Sequence, residues 1–121
     1  MDKKLREKVY SKYNGRCAYC GRHIEYKDMQ VDHFIPKAKA IYDKDANAIA
    51  IESIENMMPS CRTCNHYKRA HSLELFRKFI EEIPQKLGKQ EYIYKVGMAY
   101  GFFDNKPRKV RFYFEQAESE E

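Results

Sequence analysis

Apolar residues recur along this chain at two spacings, and the spacing marks most of its elements. Leu5, Val9 and Tyr13 return at helical intervals behind Asp2, a residue suited to cap a helix, while lysines and arginines fill the other faces. This predicts a short basic amphipathic helix ended by Asn14-Gly15. Over 29–35 the run Met-Gln-Val-Asp-His-Phe-Ile alternates in part and predicts a strand, closed by Pro36. Residues 56–59, Asn-Met-Met-Pro, are expected to return beside it as an antiparallel strand, with a helix following from Arg62. The connection, 37–55, has no glycine and no firm period and is expected to be a loop with a helical turn. Leu73, Phe76, Ile80, Ile83 and Leu87 form a helical stripe, interrupted near Pro84 and stopped at Gly88. A further helix is predicted over 91–100, ended by Gly101, then a turn at 104–107 and a strand over 110–114, where apolar positions alternate. The tail from Glu115 is expected to fray.

These elements make a small α+β protein. At 121 residues the chain is expected to be one domain, with a core over 16–71, an extension over 72–114 and an acidic tail over 115–121. A core of this size gains much from a metal staple. The formal net charge is +5, and because four glutamates crowd into the tail, the body before them is more basic still. A basic body favours a polyanionic partner, nucleic acid first, although a lysine-rich protein without one has the same composition.

The cysteines sharpen this picture. Cys17-Ala-Tyr-Cys20 and Cys61-Arg-Thr-Cys64 are two Cys-x-x-Cys pairs far apart in sequence, and four thiolates close a tetrahedral zinc site with no open position for chemistry. Such a zinc is structural. The charged start MDKKLREKVY lacks the apolar segment of a secretory signal, and no run approaches the length of a membrane span, so an intracellular, reducing location and no membrane partner are expected. In a helix from Arg62, Cys61, Cys64, Asn65 and Lys68 share one face, which would aim Asn65 and Lys68 at the strand bearing Asp32 and His33.

The order is then a cysteine pair, Asp32-His33 on a strand, Asn56 at the start of the returning strand, and a cysteine pair followed at once by Asn65 on a helix. In the segments CAYC, VDHFIP, ENMMPSC and CRTCNHYK this resembles the HNH endonucleases of the zinc-stapled ββα-metal type. The resemblance covers about residues 16–69. It implies a ββα-metal core that cleaves DNA with a divalent cation and leaves 5′-phosphate and 3′-hydroxyl ends. His33 suits the general base, because an imidazole titrates near neutral pH and can take a proton from an attacking water. Asp32 and Asn65 suit a catalytic Mg2+ or Mn2+, which prefers hard oxygen ligands. By the same resemblance Asn56 supports the loop and the orientation of His33 without ligating. Lys37, Arg62, Lys68 and Arg69 are the candidate nucleic-acid contacts. Two alternatives stand at single positions: Asp32 could orient His33 instead of ligating, and His66 competes with Asn65 as the helical ligand. Many relatives carry a glycine pair in the connection that is glycine-free here. A zinc-stapled binding domain without catalysis is the rival from another class. A third arrangement is a subunit that cuts only inside a larger phage or defence complex. One site per chain nicks, so double-strand breaks call for a homodimer or two encounters.

Overall fold

The computed structural model describes residues 1–35, 52–104 and 106–119. Among these, the order is α1 (Lys3–Ser11), β1 (Gln30–His33), β2 (Met57–Ser60), α2 (Arg62–Lys68), α3 (Leu73–Glu81), α4 (Ile83–Gln90), α5 (Tyr92–Ala99) and α6 (Tyr113–Ser119), with 3-10 turns at Tyr26–Asp28 and Ile54–Asn56. Lys37 and most of the 37–55 connection lie outside the described residues. The chain forms two compact units, one from Met1–Leu73 with Arg111–Glu121, the other Glu74–Val110. The expected limit of the core, at residue 71, falls beside the first boundary, and residues 111–114 of the expected extension belong to the first unit.

In the first unit α1 starts where Asp2 accepts the Lys4 backbone N–H at 2.8 Å and buries Val9. Strands β1 and β2 pair antiparallel, with Gln30 opposite Ser60 and His33 opposite Met57. Pro59 is tolerated in β2 because a two-stranded ribbon leaves one side of each strand unladdered. Its carbonyl accepts the Ala18 N–H at 2.8 Å, tying the first cysteine pair to the hairpin. Helix α1 packs against β2, and α2 against β1. Arg6, expected on a solvated face, instead donates to the carbonyls of Tyr26 (2.7 Å) and Met29 (3.0 Å). Lys12 likewise turns inward and caps the carbonyls of Ile54 (3.0 Å) and Met57 (2.7 Å).

The strand expected over 110–114 is not formed, and α6 occupies Tyr113–Ser119 instead. The reason lies in where the backbone N–H groups go. Val110 donates to the Glu81 carboxylate, Phe112 to Glu115 Oε1, Tyr113 to the Tyr19 carbonyl and Phe114 to the Ala18 carbonyl. The Phe112–Glu115 bond is one half of a capping box, and the carbonyls of Ala18 and Tyr19 take the first donors of the helix. Four of the five N–H groups over 110–114 are thus committed elsewhere than to a neighbouring strand. Phe112 and Phe114 are nonetheless both buried, edge-on to Tyr19, so the apolar pattern is used for packing. The tail is correspondingly ordered through Ser119, and Glu118 accepts from the Tyr13 hydroxyl at 2.9 Å.

The second unit contains most of α3, then α4 and α5. Pro84 lies in the first turn of α4, where a missing N–H costs nothing, and α4 runs on through Gly88 to Gln90. The expected stop at Gly88 therefore does not occur. Helix α5 is apolar on both faces. Tyr94 stacks on Phe103, and a Cβ on Gly97 would lie 2.5 Å from the Phe103 ring, so only glycine fits there. On the opposite arc Tyr92 (81%), Ile93 (78%), Val96 (44%) and Tyr100 (78%) are exposed. A cavity of about 480 Å³ in this unit is lined by Ile80, Leu87, Tyr94 and Phe102 among others. Every candidate site residue among the described ones lies in the first unit.

Candidate active site

The first cysteine pair sits on a tight loop in which Cys17 N–H donates to the Arg22 carbonyl at 2.8 Å and Gly21 N–H to the Cys17 carbonyl at 3.0 Å. Gly21 has φ +78°, and a Cβ there would meet the Tyr113 ring at 3.0 Å, so both conformation and packing demand glycine. The second pair is set by α2: Cys61 is its N-cap, accepting the Cys64 N–H at 3.4 Å. The four sulfur atoms all lie within 4.8 Å of one another, with Cys20 and Cys61 at 3.8 Å. A tetrahedron with Zn–S bonds of 2.3 Å has edges of about 3.8 Å, so the set fits zinc. The thiol chemistry agrees. Cys17 is held down to about 4, chiefly by a hydrogen bond from Cys64 and then by backbone N–H groups, against burial. Cys64 is pushed up by giving that bond and by burial, and Cys20 is pushed up by burial. One thiolate thus forms readily, and a bound cation would draw the protons from Cys64 and Cys20.

The zinc site fixes Tyr19, and Tyr19 reaches the strand. Its hydroxyl donates to Asp32 Oδ2 at 2.5 Å. Burial and then the Asp32 charge push the phenol well above its ordinary range, so it stays a donor. From the other side comes Lys68, at the end of α2, with Nζ 3.1 Å from Asp32 Oδ2 and 3.5 Å from Oδ1. The same ammonium lies 3.5 Å from the His33 carbonyl oxygen. Lys68 is fully buried, so the phosphate contact expected of it is not available: its charge is spent on Asp32. Asp32, for its part, is bonded to Tyr19 and Lys68 and not to His33, as alternation along the strand requires.

His33 faces the other way. Among the described residues its buried Nε2 has no hydrogen-bond partner, and Glu52 Oε1 lies 3.6 Å from it. Asn56 sits immediately before β2 at the end of a 3-10 turn, not in the strand. Its side chain accepts the Ile35 N–H at 2.7 Å and donates to the Ile35 carbonyl at 3.1 Å, while its carbonyl accepts the Phe34 N–H at 2.8 Å. The segment leaving His33 is thereby clamped to β2. Asn65 stands on α2 one turn before Lys68, partly exposed, and His66 beside it is exposed. Arg62 and Arg69 are on the surface; Arg69 ends α2 with φ +53°.

Of the oxygen donors present, the Asp32 carboxylate is the one a hard cation would use. A carboxylate offers about four acceptor positions. Tyr19 and Lys68 engage Oδ2, and Oδ1 meets only the longer contact to Lys68 among the described residues. Sequence reasoning missed Tyr19, Lys12 and Glu52, whose parts arise from contacts across the fold. The interval in Cys-x-Tyr-Cys that places Tyr19 inside the loop was the available signal for the first of them.

Two antiparallel strands, a helix and a four-cysteine centre that fits zinc, with His33 and Asn56 at the same end of the hairpin, define a small ββα domain. Residues 17–71, a little under half of the chain, match the family model for HNH endonuclease. Over 60 residues the chain is 35% identical to the Septu protein PtuB of Bacillus thuringiensis, an overlap of 48% of this chain and 21% of the relative. The chain thus matches about a fifth of the length of that relative. Among the described residues no helix is long and apolar enough to cross a membrane.

Proposed function

We propose that this chain is an endonuclease that hydrolyses DNA phosphodiester bonds with His33 as general base and a divalent cation. The observation that carries this reading is the unsatisfied Nε2 of His33. A buried ring nitrogen without a partner costs about 1–3 kcal/mol, and a site that takes a proton from bound water gives that cost a purpose. His33 Nε2 accepts the proton as water oxygen forms its bond to phosphorus; the bond to the 3′ oxygen breaks, and that oxygen is protonated from solvent. Asn56 holds the Ile35 backbone and with it the direction of the imidazole. Asp32 Oδ1 and the Asn65 amide oxygen would hold Mg2+ or Mn2+, which supplies charge neutralisation at the phosphate and at the leaving oxygen. Arg62 and Arg69, exposed at the two ends of α2, contact flanking phosphates.

The test is nicking of supercoiled plasmid with magnesium or manganese, followed by DNA ligase. Nicks that form only with the cation and are resealed by ligase support cation-dependent hydrolysis to 5′-phosphate and 3′-hydroxyl ends. Nicks that persist in EDTA, or that ligase cannot reseal, contradict it.

A second reading, a subunit that cuts only within a larger phage or defence complex, is favoured by the exposed stripe on α5. Monomeric proteins rarely leave an apolar stripe of this kind uncovered. A domain this small also has little surface for choosing a DNA sequence. In that case plasmid nicking appears only when the partner is supplied.

A further inference from the structure

Lys68 is the most deeply buried charge among the described residues, with no exposed surface, although lysine is rarely fully buried without a partner. Its ammonium carries three protons. The acceptors within reach are the two oxygens of Asp32, at 3.1 and 3.5 Å, and the His33 carbonyl, at 3.5 Å. All three belong to the two adjacent residues at the centre of the site. On the opposite side of the Asp32 carboxylate the Tyr19 hydroxyl is fixed by its ring, which packs edge-on to Phe112 and Phe114, and by the zinc loop on either side of it.

We infer that Lys68 is the resident counter-ion of Asp32, occupying the carboxylate until a divalent cation displaces it, and that Tyr19 keeps the carboxylate aimed in both states. This rests on the reading of Asp32 as a cation ligand. One ammonium and one carboxylate make the buried pocket neutral, so a dication entering alone leaves it with excess positive charge in a poorly solvated place. Entry is favoured when Lys68 swings aside or when a DNA phosphate arrives with the cation. Cation binding is therefore weak in the free protein and strengthened by substrate. Tyr19 and Lys68 are positioning residues, acting on the reaction through Asp32. Their two effects on cation affinity have opposite signs: the hydroxyl orients a ligand and supports binding, whereas the ammonium competes with it.

The experiment is titration of the zinc-loaded protein with Mn2+, read by electron paramagnetic resonance, without DNA. Wild type is compared with Asp32→Asn, Tyr19→Phe and Lys68→Met, with zinc content and melting temperature recorded for each. Asp32→Asn is expected to abolish the site. Tyr19→Phe is expected to weaken Mn2+ about tenfold or more, in the range found when an orienting partner of a metal ligand is removed. Lys68→Met is expected to tighten it by a similar factor, about tenfold. A purely structural role would lower the melting temperature of both variants and leave both Mn2+ affinities at the wild-type value, which would overturn the inference. If Asp32→Asn still binds Mn2+ like wild type, the reading of Asp32 as a ligand fails instead, so the two failures are told apart. Tyr19→Phe retains the ring against its aromatic neighbours and decides the matter alone where Lys68→Met does not fold.

Discussion

Asp32 and His33 are adjacent, yet β1 sends their side chains to opposite faces, and each acquires its own surroundings. Asp32 lies between Tyr19 and Lys68, while His33 Nε2 lies beside Glu52 and has no hydrogen bond among the described residues. Asn56 links this pair to β2 through two bonds to the Ile35 backbone. Asn56→Ala leaves both Ile35 groups unpaired and is expected to cost about 1–3 kcal/mol, read as a lower melting temperature, and to reduce nicking even where the protein is folded. The Cys, His and Asn positions were legible in the sequence because metal and proton chemistry restrict both residue type and interval. Tyr19 and Lys12 were not, since the interval that places a tyrosine inside a knuckle does not say what it bonds, and a lysine at a helix end has no local signature. Their targets, Asp32 for one and Ile54 and Met57 for the other, lie far along the chain. Lys68 was expected at a phosphate and is instead buried against Asp32, because burial is not visible in a helical interval.

At the scale of elements, the zinc loops hold the hairpin and α2 in register. Binding zinc must remove the protons that Cys64 and Cys20 retain above the ordinary thiol range, so zinc affinity is expected to rise with pH and to fall as pH is lowered. Competition with a chromophoric chelator across the neutral range measures this; affinity independent of pH would contradict it. Stripping zinc, or Cys61→Ser, is expected to abolish the cooperative melting of the first unit. Helix α6 shows where alternation misleads. Five residues with apolar positions at every second place suit a strand, but Glu115 follows Phe112 at capping distance and the carbonyls of Ala18 and Tyr19 stand ready for the next two N–H groups. Glu115→Ala is expected to destabilise the first unit by about 0.5–1.5 kcal/mol in a urea titration, through loss of that cap.

At the scale of the whole molecule, the chain leaves the first unit after Leu73, builds a helical unit, and returns at Arg111. The return is part of the first unit's core, since Phe112 and Phe114 are buried there and each contributes about 1.5–3 kcal/mol. A chain ending at Val110 is expected to lose cooperative unfolding even with zinc present. The helical unit carries the exposed stripe of α5, and Ile93→Lys with Val96→Lys is expected to leave zinc content and melting temperature unchanged while reducing binding of a hydrophobic dye. The central claim, that an HNH domain stapled by zinc uses His33 to cut DNA, is met most directly by comparing wild type with His33→Ala on supercoiled plasmid at equal zinc content. The account predicts cation-dependent nicking by wild type and a loss of at least about a hundredfold in the variant. Equal nicking by the two proteins, each fully zinc-loaded, would contradict it.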